Sequence, residues 1–589
     1  MEPEITAVRT TGEVPSPGWE RDLSQATHTM SGAEALVRSL VQGGVRLVFG
    51  YPGGAIMPVY DALFDHGHEI RHVLVRHEQG SIHAAEGYAR ASGGTGVCIA
   101  TSGPGATNLL TGIADAQMDS TPVVCITGQV ASSVLGSDAF QETNVMSVSA
   151  PLTKWNHQIT DPEEIPAVIS KALYLARSGR PGPVLIDITK DAQIGTLAYR
   201  PHEEEHEVRG YEPLPTLDEQ RVEAACRLID RSRRPLVLVG QGVLLSGAQN
   251  ELGQFVEKAG LPFACTLLGL GAVTSEHPLY VGLLGMHGNY GPNIKTNECD
   301  LLIAVGMRFD DRVTGDLARY ARQARVIHLD IDASEIGKNV PADVEILADA
   351  REALGAMTTR VRSASHTAWL AEFTACHAIE RERVIENDLN PASPELRMSE
   401  VMGRLCSRTE GRALVIADVG QHQMAAARYY RCRDGGAFIT SGGLGTMGFA
   451  LPGAMGVGLA RRDRPVVAVI GDGGFQMTLQ ELGTIAKEQI PVKIMILNNG
   501  YLGMVRQWQE LFFRRRYSQT ELSNPDFVAI AAAYGMKGRR VSERTELDAS
   551  IDEMLSSASP FLLDVVVERE ENVFPMVPAG ASCSEIRLE

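Results

Sequence analysis

Short runs of consecutive apolar residues, each stopping at Gly, Asp or Thr-Ser-Gly, recur along this chain and constrain its fold most. Residues 97–100, 184–187, 301–306 and 466–470 are such runs. A run without polar alternation is typical of a strand buried on both faces, as in parallel sheets covered by helices. Segments with helical periodicity, such as residues 33–40, separate the runs. We therefore predict an α/β fold of doubly wound parallel sheets.

The length of 589 residues exceeds what one hydrophobic core can organise, so three domains of ordinary size are expected. The polar residues 202–207 and a charged helical stretch at 365–390 interrupt the apolar runs and separate the domains. The third domain repeats the alternation of helical segments and apolar runs seen in the first, which suggests that the two are related. The predicted ranges are an N-terminal arm at 1–29, α/β domains at 30–200, 215–360 and 395–575, a helical linker at 361–394 and a C-terminal tail at 576–589.

The composition of the chain argues against several kinds of partner and site. The formal net charge is −18, from 54 basic and 72 acidic residues, which disfavours a nucleic-acid-binding surface. The nine Cys residues include no Cys-x-x-Cys pair, so neither a disulfide framework nor a zinc site is expected. No apolar run approaches the length of a membrane span. Residues 1–29 are too acidic for a secretory signal or transit peptide; we predict a disordered arm and a cytoplasmic protein with reduced thiols.

Two polar residues follow neighbouring apolar runs in the third predicted domain. Asp472 stands in a Gly-Asp-Gly-Gly sequence after residues 466–470, and Asn499 follows residues 492–497. Ends of parallel strands lie along one edge of a sheet, so a carboxylate and an amide oxygen could share one cation. Such ligands suit Mg²⁺, which completes its octahedron with phosphate oxygens and water. Either half alone is a common turn or strand end, but the pair predicts a site for magnesium and a diphosphate.

A Gly-rich turn at 443–448 offers a competing interpretation. It fits the dinucleotide pattern Gly-x-Gly-x-x-Gly, which is weak evidence unless it follows the first strand of a nucleotide-binding domain. This turn instead follows residues 438–440 and lies close upstream of Asp472. The dinucleotide interpretation is therefore the weaker of the two.

The pairing of Asp472 with Asn499 resembles the signature of the thiamine-diphosphate-dependent enzymes. Further stretches extend the resemblance over nearly the whole chain from about residue 30, and they are similar to the large catalytic subunit of the acetolactate synthase (acetohydroxyacid synthase) family. These stretches are Tyr-Pro-Gly-Gly-Ala at 51–55, Arg-His-Glu-Gln-Gly at 76–80, Thr-Ser-Gly-Pro-Gly-Ala-Thr-Asn at 101–108, Asp-Ala-Phe-Gln-Glu at 138–142, Gly-Arg-Pro-Gly-Pro-Val at 179–184, Gly-Gln-His-Gln-Met at 420–424 and Gly-Met-Val-Arg-Gln-Trp-Gln at 503–509. One departure is Ala131, where relatives often carry Pro; we expect it to alter inhibitor contacts more than chemistry.

The resemblance implies a thiamine diphosphate site with Mg²⁺. Glu78 would be the catalytic acid/base facing the pyrimidine ring, and Met447 would support the folded cofactor. Asp472, Asn499 and the backbone carbonyl of Tyr501 would hold the metal. The implied cofactor residues are Glu78, Gly420, Gln421, His422, Gly445, Met447, Gly471, Asp472, Gly473, Gly474, Asn499, Tyr501, Gly503 and Met504. Without the resemblance, Glu78 would be an ordinary acid in the first turn of a helix, and Met447 would be ordinary core packing.

The resemblance also implies a substrate channel. Trp508 would favour 2-ketobutyrate over pyruvate as the second substrate, and Val59 would lie beside the thiazolium ring. The implied substrate residues are Gly54, Ala55, Val59, Phe140, Gln141, Lys190, Met504 and Trp508. An interface or core position is the ordinary alternative for an aromatic residue such as Trp508.

Segments of the central predicted domain resemble the FAD-binding segments of the biosynthetic enzymes in this family. They lie at 285–288, 306–312 and 328–332. The implied FAD residues are Arg180, Met286, His287, Gly306, Arg308, Asp310, Arg312, Asp330, Asp332 and Asp349. The flavin would be mainly structural, because the implied reaction has no net redox step. The ordinary alternative is that Asp311 and Arg312 form a surface ion pair and Asp330 caps a helix.

The implied activity is that of a transferase that decarboxylates pyruvate and joins the remaining two-carbon group to a second 2-keto acid. A second pyruvate gives 2-acetolactate and 2-ketobutyrate gives 2-aceto-2-hydroxybutyrate, in the biosynthesis of valine, leucine and isoleucine. The alternatives are a flavin-dependent pyruvate oxidase of the same family and a protein that only binds keto acids or FAD.

The implied partners follow from the position of the site. Glu78 and Asp472 fall in different predicted domains, so one site could need two chains. The family builds each site at a dimer interface, which implies a homodimer or a tetramer, and it usually has a small regulatory subunit. Nucleic acid and membrane are not expected as partners.

Overall fold

A computed structural model describes residues 28–202, 208–433 and 435–589. The predicted arm at 1–29 and the polar linker at 202–207 fall almost entirely outside these residues. His28 and Thr29 belong to a strand rather than to the arm, because they pair with Tyr199 and Ala198. Within the described ranges, no helix combines the length and the apolar character needed to cross a membrane.

The first domain contains a six-stranded parallel sheet. The strands of the whole domain, of which β2 to β7 form this sheet, are β1 (His28–Ser31), β2 (Leu47–Gly50), β3 (Arg71–Leu74), β4 (Gly96–Ala100), β5 (Val123–Gln129), β6 (Trp155–Ile159), β7 (Val184–Thr189) and β8 (Thr196–Tyr199). Its helices are α1 (Gly32–Gln42), α2 (Met57–Asp65), α3 (Glu78–Ser92), α4 (Pro104–Thr107), α5 (Leu110–Met118), α6 (Val145–Ser149), α7 (Ile165–Arg177) and α8 (Lys190–Ile194). The sheet order is β3-β2-β4-β5-β7-β6, while β1 and β8 form a separate antiparallel pair.

The continuous apolar runs of this domain are strands buried on both faces, as predicted. Every residue of β4, β5 and β7 is buried. Alternate side chains of β4 and β5 enter two different hydrophobic clusters, one shared with α1 and α7 and the other with α3 and α5. Helices therefore cover both faces of the sheet, which is the doubly wound arrangement.

The central domain has a second six-stranded parallel sheet. Its strands are β9 (Pro235–Val239), β10 (Phe263–Cys265), β11 (Tyr280–Leu283), β12 (Leu301–Val305), β13 (Arg325–Asp330) and β14 (Val344–Leu347). Its helices are α9 (Glu219–Ile229), α10 (Gly242–Leu245), α11 (Gln249–Ala259), α12 (Tyr290–Thr296), α13 (Asp311–Thr314) and α14 (Ala350–Arg360). The sheet order is β11-β10-β9-β12-β13-β14. A helical connection follows, made of α15 (Thr367–Glu380), a π-helical turn (Arg381–Ile385) and α16 (Glu386–Leu389).

The third domain has a further six-stranded parallel sheet. Its strands are β15 (Leu414–Ala417), β16 (Phe438–Thr440), β17 (Val466–Gly471), β18 (Lys493–Asn498), β19 (Lys537–Val541) and β20 (Phe561–Val566). Its helices are α17 (Met398–Thr409), α18 (Gln421–Tyr429), α19 (Ala450–Ala460), α20 (Asp472–Thr478), α21 (Leu482–Glu488), α22 (Gly503–Phe512), α23 (Phe527–Ala533) and α24 (Arg544–Ser556). The sheet order is β16-β15-β17-β18-β20-β19.

The two outer sheets share one strand order. Counted along the chain within each sheet, it is second-first-third-fourth-sixth-fifth in both. This agrees with the prediction that the outer domains are related. The central sheet has the order third-second-first-fourth-fifth-sixth, which is the order of dinucleotide-binding domains.

Helices α3 and α19 join the first and third domains within one chain. A Cβ atom on Gly87 would lie 2.1 Å from the carbonyl oxygen of Gly453, and one on Gly456 would lie 1.9 Å from that of Ala84. The helix backbones therefore meet at a distance that only glycine permits. Each helix follows the second strand of its sheet, so the contact relates equivalent elements. One hydrophobic core continues from β4 and β5 to β17 and β18.

The predicted C-terminal tail, 576–589, returns to the central domain. The Val577 N–H donates to the Met286 carbonyl at 2.8 Å, and Ser582 pairs with Gly315 in an isolated antiparallel bridge. The Cys583 side chain is buried in the central domain's core. The tail is thus fixed against the segment that carries Met286.

Candidate active site

Asp472 and Asn499 lie at the same edge of the third sheet, as predicted. Strands β17 and β18 are parallel neighbours, with Gly471 opposite Leu497. Asp472 begins α20 immediately after β17, and Asn499 follows β18. Adjacent parallel strands therefore bring a carboxylate and an amide to one place.

The Asp472 carboxylate is buried and lacks a cationic partner. Its residue is 1% exposed, and its Oδ2 accepts hydrogen bonds from the Gly500 N–H at 2.9 Å and from Asn524 Nδ2 at 2.6 Å. Burial raises the pKa of Asp472 to about 6, although these hydrogen bonds oppose the shift. Among the described residues, no ion pair within 4.0 Å involves Asp472. A carboxylate that is largely ionised at neutral pH in such surroundings is suited to bind a cation.

Glycines leave a small cavity beside this carboxylate. A Cβ atom on Gly474 would lie 1.9 Å from Asp418 Oδ2, and one on Gly503 would lie 2.1 Å from Gln421 Oε1. The cavity measures about 50 Å³. Its lining includes Gly420, Gln421, His422, Met447, Gly471, Asp472, Gly473, Gly474, Asn499, Tyr501, Gly503 and Met504. All the predicted third-domain cofactor residues are here except Gly445, which lines the larger adjoining cavity described below.

His422 has a buried ring nitrogen with no hydrogen-bond partner among the residues that the structure describes. The residue is 6% exposed, and its Nε2 atom makes no hydrogen bond. Burial lowers the pKa of the His422 imidazole to about 3, so the ring is neutral at physiological pH. A neutral ring with one unsatisfied nitrogen in the wall of a cavity is an anchoring point for a polar ligand.

Three residues that support this edge were not predicted from the sequence. Asn524 donates to Asp472, as described above, and also to Asn498 Oδ1 at 3.0 Å. Gln507 and the Glu571 backbone carbonyl both accept from Gln421 Nε2, at 2.9 and 2.7 Å. Each supporting residue lies far along the chain from the residue that it contacts; Gln507 falls in the stretch at 503–509 that carries the resemblance, but neither that stretch nor any local pattern indicated these contacts.

Glu78 begins helix α3 directly after strand β3 and its connecting turn. Its Oε2 accepts from Asn108 Nδ2 at 3.0 Å, and a Cβ atom on Gly105 would lie 3.3 Å from its Oε1. His77 caps the helix, because its Nδ1 accepts from the Gln79 N–H at 3.1 Å. Glu78 is therefore both an acid in the first turn of a helix and part of a defined pair with Asn108.

Most predicted substrate residues of the first domain lie on an exposed face. Gly54 and Lys190 are exposed, Ala55 and Gln141 are partly exposed, and Phe140 is 88% exposed. They follow the carboxyl ends of strands β2, β5 and β7.

Val59 is placed differently from what the sequence interpretation expected. Its side chain is 0% exposed and packs in the hydrophobic cluster of the first domain. The physical reason is helical spacing, because Val59, Ala62 and Leu63 form the buried side of α2. The structure therefore does not bring Val59 to the exposed face described above.

The two groups of predicted residues do not meet within one chain. The residues that line the cavity beside Asp472 and the larger adjoining cavity come from the third and central domains, with a few from 118–181 and 213–214. Within the described parts of the chain, neither lining includes Glu78, Gln141 or Lys190. The predicted site residues thus fall into two separate groups in one chain.

A cavity of about 1200 Å³ opens at the carboxyl edge of the central sheet. It lies where the strand order reverses between β9 and β12, and a Cβ atom on Gly240 would lie 2.1 Å from the Gly306 carbonyl oxygen. Ligands of such sheets bind at this reversal. The lining contains nine of the ten predicted FAD residues, namely Arg180, Met286, His287, Gly306, Arg308, Asp310, Arg312, Asp330 and Asp349. Asp332, the tenth, pairs with Arg180 at 3.0 Å.

Ordinary structural roles account for part of this set. Asp310 and Asp349 cap helices α13 and α14, and Arg312 lies 3.8 Å from exposed Asp311, as the alternative interpretation expected. Asp330 caps no helix among the described elements; its Oδ1 accepts from the Asp332 N–H at 2.9 Å.

Two buried groups in the same lining have the character of ligand contacts. Burial raises the pKa of Asp330 to about 6. His287 is 6% exposed, its Nδ1 atom has no hydrogen-bond partner within the described parts of the chain, and burial lowers its pKa to about 4. Neither helix capping nor a surface ion pair accounts for the burial of Asp330 and His287.

The same cavity continues to the third domain. Gly445, Met447, Met504 and Trp508 line its far end, and the Trp508 ring lies 5.3 Å from that of Phe512 one helical turn away. The Gly-rich turn at 443–448 thus lies in the wall between the two cavities rather than after the first strand of the central sheet. This position disfavours the dinucleotide interpretation of that turn.

Comparisons with known proteins cover all three domains. The chain matches three family descriptions: "Thiamine pyrophosphate enzyme, N-terminal TPP binding domain" over residues 30–148, the "central domain" over 222–357 and the "C-terminal TPP binding domain" over 418–565. Each match falls on one of the three parallel sheets.

Individual relatives match nearly the whole chain. It is 46% identical to the acetolactate synthase isozyme 2 large subunit of Escherichia coli, over 95% of this chain and 99% of that protein. It is 43% identical to the probable acetolactate synthase large subunit of Methanocaldococcus jannaschii, over 95% of each. It is 45% identical to acetolactate synthase 1, chloroplastic, of Nicotiana tabacum, over 95% of this chain and 85% of that protein.

Proposed function

Because this chain belongs to the acetolactate synthase large-subunit family of thiamine-diphosphate-dependent enzymes, we propose that it joins pyruvate to a second 2-keto acid. A second pyruvate gives 2-acetolactate, and 2-ketobutyrate gives 2-aceto-2-hydroxybutyrate, both precursors of branched-chain amino acids. The observation that carries the proposal is the buried Asp472 carboxylate, which has no ion-pair partner among the described residues and lies beside Asn499 in a glycine-walled cavity. The relatives are named as synthases, so the flavin oxidase alternative is not favoured.

Mg²⁺ is the cation that this edge fits best. The side chains of Asp472 and Asn499 and the backbone carbonyl of Tyr501 would hold it, and the ion would in turn bind the diphosphate. The neutral His422 ring and the Gln421 amide would contact the diphosphate. The support is the unsatisfied His422 nitrogen and the buried carboxylate, both of which gain a partner when the cofactor and metal bind.

The chain's residues orient the reactants and move a proton. Thiamine diphosphate, when bound, supplies the electron sink that lets a 2-keto acid lose carbon dioxide. Glu78 holds and returns a proton at its carboxylate, which Asn108 fixes in place. Met447 supports the cofactor, and Trp508 favours 2-ketobutyrate as the second substrate. The walls around Met504 and Trp508 exclude water, which would otherwise protonate the two-carbon group and end the reaction at acetaldehyde.

A complete site needs a second copy of the chain. Glu78 and the exposed face with Gly54, Ala55, Phe140, Gln141 and Lys190 come from one protomer, and Asp472 with its cavity comes from the other. The support is that one chain keeps these half-sites apart and leaves Phe140 88% exposed. The predicted domains then have three roles: pyrimidine binding at 30–200, FAD binding at 215–360 and diphosphate binding at 395–575. The assembly is a homodimer or tetramer that also binds a small regulatory subunit.

FAD occupies the cavity of the central domain in this proposal. The strand order of the central sheet, the Gly240–Gly306 approach and the unsatisfied His287 nitrogen support a dinucleotide there. Because the reaction has no net redox step, the flavin is a structural element. We expect the purified protein to bind FAD tightly enough to be yellow, with no oxygen consumed during turnover.

The test is an acetolactate assay under anaerobic conditions. Purified protein with thiamine diphosphate, Mg²⁺, FAD and pyruvate should form 2-acetolactate and carbon dioxide in equal amounts. Removing the metal with a chelator should stop the reaction, and adding Mg²⁺ should restore it. Formation of acetate coupled to oxygen or quinone reduction, without acetolactate, would contradict the proposal.

A further inference from the structure

The Gly-rich loop at 441–448, which carries Gly445 and Met447, is held from another domain. Asp119 lies just after α5 of the first domain and is 1% exposed. Its Oδ2 accepts from the Gly442 N–H at 2.8 Å, and its Oδ1 accepts from the Gly443 N–H at 2.7 Å. One carboxylate thus binds two successive backbone donors at the start of the loop, in a contact buried from water.

A second carboxylate of α5 holds the loop through Ser441. The Ser441 hydroxyl donates to Asp115 Oδ1 at 2.6 Å and accepts from the Thr446 N–H at 2.8 Å. It therefore connects the two ends of the turn, and Asp115 fixes the direction of the hydroxyl. Both Ser441 and Asp115 are buried, at 1% and 0% exposure.

Steric contacts show how closely the two domains meet. A Cβ atom on Gly443 would lie 2.9 Å from both Asp119 Oδ1 and the Met118 Cβ. Glycine is needed at this position so that the loop can reach the carboxylate. Arg90 of α3 also donates to the Thr440 carbonyl at 2.7 Å and lies 3.6 Å from Asp119 Oδ2.

The first domain buries several titratable groups beside this loop. The charge of Arg90 acts on Glu86 and Asp119, that of Arg308 also acts on Asp119, and His83 Nδ1 lies 3.0 Å from Glu86 Oε1. Burial and mutual repulsion raise the pKa of Glu86 and of Asp115 well above the usual range. Such a cluster is costly to bury, and it contacts the third domain both at this loop, through Asp115 and Asp119, and at Phe449, through His83.

The third domain holds the first domain in an equivalent way. Glu481 accepts from the Arg76 N–H through Oε1 and Oε2, at 3.0 and 3.2 Å, two residues before Glu78. Asp119 and Glu481 both lie between the third and fourth strands of their sheets, and each binds the segment after the second strand of the other sheet. Each of the two domains therefore uses a carboxylate to hold the segment after the second strand of the other domain's sheet.

We propose that Asp119 and Asp115 are positioning residues that hold the loop carrying Gly445 and Met447 in the conformation that receives thiamine diphosphate. The inference rests on the proposed function of that loop. Since Glu78 of the same first domain serves the site completed by the partner, each first domain supports two sites: one through Glu78 and one through Asp119. A glycine-rich loop has many unbound conformations, so its external hydrogen bonds determine how much ordering remains for the cofactor to impose.

The test compares Asp119→Asn with Asp300→Asn in the full-length holoenzyme. An Asn side chain has one acceptor oxygen, so one of the two glycine N–H groups loses its partner. Asp300 makes the same kind of contact in the central domain, accepting from the Arg233 and Arg234 N–H groups at 2.7 and 3.0 Å, away from the loop. Thiamine diphosphate affinity is titrated by protein fluorescence in the presence of Mg²⁺, alongside FAD affinity, melting temperature, and kcat and KM for pyruvate.

The expected result is specific to the loop. Asp119→Asn should weaken thiamine diphosphate binding about tenfold, while Asp300→Asn lowers the melting temperature without changing that affinity. Should Asp119→Asn not fold, Ser441→Ala removes the Asp115 contact and should weaken binding about threefold in the same titration. Unchanged cofactor affinity in the folded loop variant, or an equal loss in Asp300→Asn, would overturn the inference. A wild-type protein that fails to bind thiamine diphosphate would instead overturn the proposed function.

Discussion

The first and third domains share a strand order but carry different chemistry at the strand ends. After the third strand of the sheet, the first domain has the Ser- and Gly-containing segment 101–105, while the third domain has Gly-Asp-Gly-Gly at 471–474. After the second strand, the first domain has Glu78 and the third has a glycine-rich loop with Met447. In the proposed function, one scaffold therefore supports a proton-carrying half-site and a metal-binding half-site, and the difference lies in the loops at the carboxyl edge.

The two half-sites also differ in burial. Asp472 is 1% exposed inside a walled cavity, whereas Phe140, in the half-site of Glu78, is 88% exposed. A half-site that is closed by its own domain can bind a metal and diphosphate in one chain. An open half-site needs a second surface before it can exclude water. The comparison therefore predicts that cofactor binding and catalysis depend on different domains, and substitutions can separate the two.

Glu78→Gln is expected to have the largest effect on turnover. The amide keeps the shape of the side chain but cannot carry the proton, so kcat should fall about a thousandfold while thiamine diphosphate still binds. Steady-state kinetics and a fluorescence titration of the cofactor check the two parts. The matched control is Glu34→Gln, since Glu34 is also an acid in the first turn of a helix. Equal losses in both variants would mean that Glu78 acts only through the helix dipole.

Asp472→Asn tests the closed half-site. Loss of the only charged protein ligand in the proposed set should weaken Mg²⁺-dependent binding of thiamine diphosphate about a hundredfold, because the remaining protein ligands are neutral. Isothermal titration in Mg²⁺ measures this change. Asp463→Asn is the control, since that carboxylate pairs with Arg461 on the surface of the same domain. Wild-type affinity in Asp472→Asn would place the metal elsewhere.

The sequence predicted the closed half-site more completely than the open one. Asp472 and Asn499 each follow an apolar strand, and parallel pairing of neighbouring strands is enough to bring them together. The resemblance assigned Val59 to the channel, while its helical spacing places the side chain in the core of the first domain. Asn524 and Asp119 escaped prediction for a different reason: they act on residues 52 and more than 300 positions away, and only the packed fold brings them there.

The contribution of Glu481, which binds the Arg76 N–H across the two domains, to the free energy of unfolding should depend on pH. Burial raises the pKa of Glu481 to about 7, against hydrogen bonds from the Arg76 N–H and the Thr484 hydroxyl. A carboxyl whose pKa is higher in the folded chain than in the unfolded chain, near 4.3, stabilises the fold at low pH, and this contribution is lost as pH rises towards 7. Relative to Glu481→Gln, the wild-type free energy of unfolding should therefore fall by about 2 kcal/mol between pH 5 and pH 7.5.

Urea unfolding of the two proteins at both pH values measures this difference. The Glu481→Gln variant keeps the size and the hydrogen-bonding oxygen of the side chain, so other titrating groups cancel in the comparison. A constant difference between the two proteins across the range would show that Glu481 does not titrate there.

The central claim is that the half-sites of two chains form one active site. Glu78→Gln and Asp472→Asn proteins, each inactive alone, are unfolded, mixed in equal amounts and refolded together with cofactors. In a mixed dimer, one site receives Glu78 from one protomer and Asp472 from the other, while the second site has both defects. Half of the dimers are mixed and half of their sites are intact, so acetolactate formation should return to about a quarter of the wild-type rate. Mixtures that stay as inactive as their components would contradict the account.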